Sequence, residues 1–351
     1  MNPFVPNYEN LIQAANNTKP ARIPLYEHNV DEPFVSKYLG KNLAPLLASE
    51  SPDDLRTYLK YLCGFFKDMG YDTVSFEYCI GLVMPGSGSL GGHKPGEIQN
   101  RSDFDNYPWD KIEDLYFDKA SIYFEILREE LPEGMKAVGG VGNGIFECVQ
   151  EVVGYESLCM ISFDDPELYQ LLFETVGKVN SGIWKRFLDN FADIFAVCRF
   201  GDDLGYKSST LLWGDDIKTL IIPQYKKIIE IIHSYDKPFL LHSCGCIFDV
   251  MDDFIAAGID AKHSNEDAIA PFTTWTEKYG DRIGNFGGID MDVLCQNTED
   301  EIRTYTLNIL EKTADCGGIA YGSGNSIPYY VPVDGYLAMN KTIREFRGDF
   351  A

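Results

Sequence analysis

The chain has 351 residues, with 30 lysines and arginines against 54 aspartates and glutamates, so its formal net charge is −24 at pH 7. A surface of this charge repels phosphate backbones and anionic lipid, which argues against nucleic-acid and membrane partners. The same charge also serves solubility, which accounts for most of it without any partner. Hydrophobic residues make up 45% of the chain, enough for a large buried core.

The nine cysteines follow no disulfide-framework spacing. Cys63, Cys79, Cys159 and Cys198 lie inside apolar stretches, a usage typical of a reducing compartment. The sequence has no basic-then-apolar N-terminal segment, and no apolar run approaches the roughly 20 residues of a membrane span. These features predict a cytoplasmic protein.

Strand and helix signals alternate along the whole chain. The strands are predicted near residues 23, 73, 136, 196, 239, 260, 284 and 319. Helices are predicted over 52–69, 121–130, 166–191, 215–234, 246–257, 298–314 and 333–346. Ser51 before Pro52 is a typical helix start, and the capping box at Thr298 and Glu301 is another. Eight repeats without a composition break predict an α/β fold, a (β/α)8 TIM barrel, as a single domain over residues 1–351.

A long connection follows the second predicted strand, at about residues 80–110. It includes a glycine- and serine-rich run that begins at Pro85. Loops of this length are uncommon in compact domains unless they are functional or disordered. Phe104, Tyr107 and Trp109 favour an ordered lid. A surface excursion without function is the alternative.

Polar residues gather where the predicted strands end, and the active site of a TIM barrel lies at the carboxyl ends of its strands. These residues are Glu27, His28, Glu77, Asn143, Asp202, Asp203, His242, Cys244, His263, Glu266, Asp290, Ser323 and Asn325. Loops after strands are polar in any case, so most of them need no function. The informative feature is that the Asp202–Asp203 pair and the His242–Cys244 pair follow adjacent strands and face one cavity.

His242 and Cys244 are two residues apart at the end of an apolar run. Residues at this spacing on a strand point to the same side, so the imidazole and the thiol can reach one point. A thiolate and an imidazole together suit Zn²⁺. The alternative is a buried core histidine beside a cysteine that acts as a small hydrophobic residue.

Asp202 and Asp203 also allow two interpretations. One carboxylate can act as a general base, a metal ligand or a proton donor in a dry pocket. Alternatively, the pair caps a helix or a loop. Gly142, Asn143 and Gly144, and likewise the glycines around Ser323, permit close approach of a ligand to the backbone.

With these motifs in view, the chain resembles the uroporphyrinogen decarboxylase superfamily from about residue 20 onward. The resemblance is most specific at residues 201–205 (Gly-Asp-Asp-Leu-Gly) and 241–245 (Leu-His-Ser-Cys-Gly). It implies a (β/α)8 barrel with one of two chemistries. One branch removes carboxyl groups from a tetrapyrrole without a cofactor. The other contains corrinoid-dependent methyltransferases that use zinc.

The residues near the N terminus separate the two branches. The decarboxylases carry an arginine-containing motif there that binds substrate carboxylates, whereas this chain has Ile-Pro-Leu-Tyr-Glu-His at residues 23–28. A polyanionic substrate needs such a cationic lining. His242 and Cys244 match the zinc-binding pair of the methyltransferase branch. The third family ligand, a cysteine between two glycines, falls on Ser323, and Cys316 lies at the far end of the same predicted strand.

A site with fewer thiolates is a stronger Lewis acid toward oxygen. The resemblance therefore favours transfer of a methyl group from a small substrate, most simply a methoxyaromatic ether, to a corrinoid (O-demethylation). His242 and Cys244 then bind the metal, and Asp202, Asp203 or Glu266 supplies an oxygen ligand or a proton. No segment resembles a cobalamin-binding domain, so the corrinoid is expected either free or on a partner protein that docks over the carboxyl end of the barrel.

The other polar residues at the strand ends are then assigned to substrate binding: Glu27, Glu77, Asn143, Tyr206, Glu266, Ser323 and Asn325. Two other classes of function stay open. One is a cofactor-free decarboxylase that acts on a tetrapyrrole or another acid, with Asp202 or Asp203 as the proton donor. The other is a barrel that binds a tetrapyrrole or a small molecule without catalysis.

Overall fold

The computed structural model describes residues 4–49, 51–92 and 94–350. Its centre is one sheet of seven parallel strands in the order β1 to β7, which confirms the predicted α/β, TIM-barrel-like fold. The strands are β1 (Thr73–Cys79), β2 (Lys136–Gly142), β3 (Phe195–Gly201), β4 (Phe239–His242), β5 (Ala261–His263), β6 (Gly284–Ile289) and β7 (Ile319–Ser323).

Helices surround the sheet. They are α1 (Glu9–Ala15), α2 (Glu32–Leu39), α3 (Ala44–Ala48), α4 (Pro52–Asp68), α5 (Arg101–Asn106), α6 (Ile112–Glu130), α7 (Ile145–Val153), α8 (Tyr155–Asp164), α9 (Pro166–Phe191), α10 (Gly214–Asp216), α11 (Ile222–His233), α12 (Met251–Ala257), α13 (Phe272–Tyr279), α14 (Met291–Gln296), α15 (Glu299–Thr313) and α16 (Val333–Phe346). Within the described ranges, no helix is both long enough and apolar enough to cross a membrane.

The first predicted strand, near residue 23, does not form a regular strand. It pairs with β7 through one isolated bridge, in which Tyr26 N donates to Tyr321 O (2.9 Å) and Tyr321 N donates to Pro24 O (3.1 Å). The proline at position 24 has no N–H to donate, which limits a longer ladder. On the other side, this segment meets β1 through the Ser75 hydroxyl, which donates to the Glu27 carbonyl. We call this boundary between residues 25–30 and β1 the seam.

Side chains from the strands and from helix α1 fill the interior of the barrel. Apolar side chains of β2 to β7 and of the first segment form one buried cluster with helix α1. Leu11, Ala14 and Ala15 of α1 are fully buried in that cluster. The helix therefore closes one end of the barrel, and the polar residues at the strand ends occupy the other.

In its described parts, residues 80–92 and 94–110, the long connection is not structureless. It contains two 3-10 turns (Ile80–Leu82 and Trp109–Lys111) and helix α5. Ile98 N donates to Val152 O (2.9 Å), and the Tyr107 hydroxyl donates to Pro85 O (2.8 Å). The first bond attaches the connection to the end of α7, and the second joins two parts of the connection itself. Its function as a lid stays a prediction.

Some helix boundaries differ from the predicted ones. Helix α6 begins nine residues before the predicted start at 121, and the predicted helix 246–257 begins only at Met251. The region between β2 and α9, for which no helix was predicted, holds α7 and α8. Helix α7 follows Gly144 and begins with two apolar residues, so it carries few of the polar signals that mark a helix start.

Leu11→Ala tests the role of α1 as the plug of the barrel. Because Leu11 is fully buried, the substitution leaves a cavity and should lower the free energy of unfolding by about 2–5 kcal/mol. Chemical denaturation measures this change. Val5→Ala, at a residue that is 69% exposed, is the control and should stay within about 0.5 kcal/mol of the parent. Equal stability of the two variants would contradict the plug.

Candidate functional site

Three potential metal ligands converge beyond the ends of β3 and β4. His242 is the last residue of β4, and its Nε2 lies 3.4 Å from the sulfur of Cys244. Asp203 follows β3, and its Oδ1 lies 3.9 Å from the same nitrogen. One nitrogen, one sulfur and one oxygen thus lie within 4.8 Å of one another. They meet because β3 and β4 are parallel neighbours, with Gly201 paired to His242.

Backbone contacts hold the two ligand-bearing loops together. Cys244 N donates to Asp203 Oδ1 (2.9 Å), Gly205 N donates to Cys244 O (3.2 Å), and Cys246 N donates to Tyr206 O (2.7 Å). Gly245 has a φ of +82°, and a Cβ on it would lie 2.1 Å from the Gly205 carbonyl carbon. A side chain at position 245 would therefore be strained and would push the loops apart.

A chain of hydrogen bonds determines which nitrogen of His242 is free. Nε2 of His263 lies 3.0 Å from the Ser323 carbonyl, which only accepts, so this nitrogen carries the proton. Nδ1 of neutral His263 is then an acceptor, so His242 Nδ1–H donates a hydrogen bond to it at 2.7 Å. This assignment follows from the network. It leaves Nε2 of His242 with a free lone pair beside Cys244.

Both histidines are held in the neutral form. Burial lowers the pKa of His263 to about 3. Burial, with further contributions from His263 and Arg199, lowers the pKa of His242 well below its usual value. Neutral imidazole is the form that binds metal. The ring of His28 stacks on that of His242 at 3.6 Å, and His28, His242 and His263 form a second group of possible ligands.

The sulfur of Cys244 receives two weak hydrogen bonds. Asn325 Nδ2 donates at 3.3 Å and Ser264 Oγ at 3.6 Å. Burial raises the pKa of the thiol, and the Asp203 carboxylate raises it further. The thiol therefore keeps its proton unless a cation binds beside it.

Asp202 does not join these ligands, although it is next to Asp203. It is fully buried, and its carboxylate accepts from Phe146 N (3.1 Å), Glu147 N (2.8 Å) and the Tyr225 hydroxyl (2.7 Å). Burial raises its pKa to about 6. The carboxylate holds the N-terminus of α7, which corresponds to the capping alternative from the sequence.

Glu27 and Ser323 bind each other. The buried Glu27 carboxylate accepts from Ser323 N (3.2 Å), from the Ser323 hydroxyl and from the Tyr71 hydroxyl (3.1 Å). Burial raises the pKa of Glu27 to about 7. The Ser323 hydroxyl, at the position of the third family ligand, is therefore directed to Glu27. The half-buried Cys316 precedes β7, at the opposite end of that strand from Ser323.

The other predicted substrate-binding residues are spread around the same end of the barrel. Asn325 contacts Cys244, as described above. Asn143 donates to Glu147 Oε2 (2.8 Å) and accepts from Gly81 N (3.1 Å). Tyr206 is 63% exposed, and Glu266 is half-buried in the loop after β5. Glu77 lies in the seam, where its carboxylate pairs with a buried arginine.

That arginine, Arg199, is one of the residues that sequence analysis missed. It is fully buried in β3, and its Nη2 lies 2.7 Å from Glu77 Oε2. A charged residue inside an otherwise apolar strand was the available signal. Lys262 was missed as well: burial lowers its pKa to about 7, and its Nζ lies 3.6 Å from the centre of the Trp275 ring. No pattern in the sequence distinguishes Glu147, which lies between Asn143 and Asp203.

The comparisons with known proteins identify the family. A family model described as "Uroporphyrinogen decarboxylase (URO-D)" matches residues 91–346. The chain belongs to the uroporphyrinogen decarboxylase family. A search of curated protein sequences found no match.

A comparison with solved structures shows which known proteins have a similar fold. It is similar to a methyltransferase from Methanosarcina mazei, with a TM-score of 0.71, 15% identity, and coverage of 97% of this chain and 99% of that one. It is also similar to a B12-independent methionine synthase from Shewanella sp. W3-18-1, with a TM-score of 0.51, 11% identity, and coverage of 84% and 87%. At these identities the likeness concerns the fold alone.

Glu27→Gln tests the burial of the Glu27 carboxyl group. Its pKa is raised from 4.5 to about 7 in the folded protein, so the folded state binds the proton more tightly. The stability that this group contributes is fully present below about pH 4.5 and is lost as the pH rises through about 7. Relative to the variant, the parent should lose roughly 3 kcal/mol of unfolding free energy between pH 4.5 and 8.

Denaturation curves across this pH range measure the difference. Glu133→Gln, at an exposed position, is the control and should follow the parent at every pH. A Glu27→Gln profile parallel to that of the parent would show that the carboxyl group titrates normally.

Proposed function

We propose that this chain is a zinc-assisted methyltransferase that moves a methyl group from a methoxyaromatic ether to a corrinoid held by a partner protein. The observation that carries the proposal is the convergence of His242 Nε2, Cys244 Sγ and Asp203 Oδ1 within 4.8 Å. Membership of the family and the fold shared with a methyltransferase support it.

The residues at this point fit a zinc ion. They offer nitrogen, sulfur and oxygen donors, which are the atoms that zinc takes in proteins. His242 Nδ1 carries the proton and donates a hydrogen bond to His263. The lone pair is therefore on Nε2, which faces the other two donors. The thiol of Cys244, whose pKa burial raises, needs a neighbouring cation to ionise. Three protein ligands with an open position are typical of catalytic zinc sites.

Zinc bound there would supply Lewis acidity toward the ether oxygen of the methyl donor, which weakens the bond from that oxygen to the methyl carbon. The chain itself would bind and orient the reactants. His242, Cys244 and Asp203 hold the ion, while Ser264 and Asn325 fix the sulfur. On this proposal the bond between the ether oxygen and the methyl carbon would break as the methyl group is transferred to the partner's corrinoid, and the phenolate left behind would take a proton from solvent.

The rim of this end of the barrel suits a protein partner. Tyr206 is 63% exposed, Tyr329 66% and Tyr330 62%. These residues follow β3 and β7, so they lie on loops on different sides of the ligand group. Exposed tyrosines are enriched in protein interfaces. They therefore support docking of the corrinoid protein over this end.

Decarboxylation of a tetrapyrrole has less support. A polyanionic substrate needs free cations, whereas the buried Arg199 already pairs with Glu77 and the buried Lys262 donates to Ser264 O. Asp202, the proton donor of that alternative, has its carboxylate occupied by α7 and Tyr225.

Zinc content and methyl transfer test the proposal together. The purified parent should contain about one zinc per chain, and a His242→Ala/Cys244→Ala double variant should contain none. With zinc bound, the parent should demethylate a methoxyaromatic substrate in the presence of Co(I) corrinoid, free or protein-bound, and the double variant should not. Elemental mass spectrometry and the corrinoid absorbance spectrum are the measurements.

A donor panel of methoxyaromatics, methanol and methylamines makes this test specific. Turnover of methanol or methylamines alone would show that the methyl donor differs from the proposed one, although the chain would still be a methyltransferase. The absence of turnover with every donor in the panel would overturn the proposal that the chain is a methyltransferase. Retention of zinc by the double variant would overturn the assigned ligands.

Asp203→Asn tests the third ligand. The amide oxygen can still accept from Cys244 N, so the loops should stay in place, but it is a weaker zinc donor than a carboxylate. We expect zinc affinity to fall at least about tenfold in competition with a chelator. Asp215→Asn, at a helix start away from the ligand group, is the control and should leave affinity unchanged. Unchanged affinity in Asp203→Asn would remove this residue from the ligand set.

A further inference from the structure

The seam holds a cavity separate from the ligand group. Its volume is about 340 Å³. Asn29 and Val30 line one side, and residues 75–79 of β1 line the other. No backbone hydrogen bond joins residues 25–30 to β1 in the part of the chain that the structure describes. The cavity therefore penetrates the barrel wall at the point where the sheet does not close.

An open groove leads to this cavity. The groove has a volume of about 540 Å³ and shares Leu47, Tyr78, Leu82 and Tyr123 with the cavity. Its outer wall includes exposed positions of α6, so a small molecule can reach the seam from solvent.

Four aromatic side chains form part of the cavity wall. They are Tyr58, Phe76, Tyr78 and Tyr123. The rings of Tyr78 and Tyr123 have centroids 5.2 Å apart, and those of Phe76 and Tyr123 stack at 6.3 Å. Aromatic walls favour a flat ligand, because rings pair well in offset or edge-to-face arrangements.

The volume accommodates one substituted ring and excludes a tetrapyrrole. A cavity of about 150 Å³ accommodates one benzene molecule. The 340 Å³ of the seam cavity therefore has room for one ring and its substituents. The four rings of a tetrapyrrole need on the order of 600 Å³ before their side chains are counted.

The innermost wall is electrically balanced. The guanidinium of Arg199 pairs with Glu77 Oε2 through Nη2 (2.7 Å) and Nε (3.2 Å). It also donates to the Tyr26 hydroxyl (3.0 Å) and to the His28 carbonyl (2.5 Å). Among the residues that the structure describes, Glu77 Oε1 in contrast has only the Cys79 thiol as a donor, at 3.8 Å. This wall thus carries no net charge and offers one acceptor with spare capacity.

We propose that the seam cavity binds an uncharged, single-ring phenol, whose ring lies among the tyrosines and whose hydroxyl donates to Glu77 Oε1. An anionic ligand would meet the Glu77 carboxylate, and a cationic one would meet Arg199. Each would then face a like charge in a partly desolvated site.

The inference rests on the proposed function in one respect: the phenol is the methyl donor, as a methoxyphenol, or its demethylated product. Consecutive residues connect the cavity to the ligand group. Asn29 lines it, and the ring of the preceding residue, His28, stacks on His242 at 3.6 Å.

Binding by the full-length chain, without corrinoid, tests the inference. Isothermal titration with phenol, anisole, benzoate and benzyltrimethylammonium compares a donor, a ring without a donor, an anion and a cation. We expect phenol to bind with a Kd below about 10 mM. Anisole should bind roughly threefold weaker, because it leaves Glu77 Oε1 unpaired. The two ions should bind at least about tenfold weaker.

Leu47→Trp fills the shared wall of the groove and the cavity. Leu47 is 37% exposed, so the larger side chain should not disturb folding. Leu115→Trp is the matched control, because Leu115 is 38% exposed on α6 and lines neither space. Phenol affinity should fall at least about tenfold in Leu47→Trp and stay within about twofold in Leu115→Trp.

Phenol affinity that is unchanged in Leu47→Trp, or the absence of phenol binding to the parent, would overturn the site. Tighter binding of benzoate or of the ammonium ion than of phenol would overturn the ligand class. These titrations need neither zinc nor corrinoid, so they test the phenol site independently of methyl transfer. If phenol binds but methyl transfer fails, the result counts against the proposed function and not against the phenol site.

Discussion

The hydrogen bond between Nδ1 of His242 and Nδ1 of His263 orders the functional end of this barrel. It is anchored by the Ser323 carbonyl and depends on residues of three strands, β4, β5 and β7. Because a carbonyl only accepts, the direction of every proton along the chain is determined. The consequence is a free lone pair on His242 beside Cys244 and Asp203. A change in the register of β5 or β7 would therefore alter the chemistry of the site without touching its ligands.

Incomplete closure of the sheet is the second organising feature. Pro24 cannot extend the ladder with β7, and the first segment meets β1 only through side chains such as Ser75. The buried Arg199 fills part of this seam, and Glu77 balances its charge. A regular eighth strand would have covered the cavity that is now lined by aromatic rings. The same irregularity therefore weakens the barrel wall and creates a space of the size of one substituted ring.

The carboxyl groups at the functional end of the barrel have different roles although they lie in similar surroundings. Asp202 is bonded to two backbone amides at the start of α7 and to a tyrosine, so it supports the scaffold. Glu27 supports the backbone at Ser323. Asp203, one residue from Asp202, is half-exposed and adjoins the His242–Cys244 pair. The fold shared with the Methanosarcina methyltransferase at 15% identity shows that this scaffold persists while most side chains differ.

The sequence by itself determined the fold class and the His242–Cys244 pair. Alternating strand and helix signals are local, and two residues at the end of a strand converge through local geometry. It could not separate Asp202 from Asp203, because their roles depend on α7, which the sequence did not reveal. Nor could it show that Ser323 turns toward Glu27, almost 300 residues away in the chain. Only the tertiary structure decided these points and the open seam, since each depends on contacts between segments that are distant in sequence.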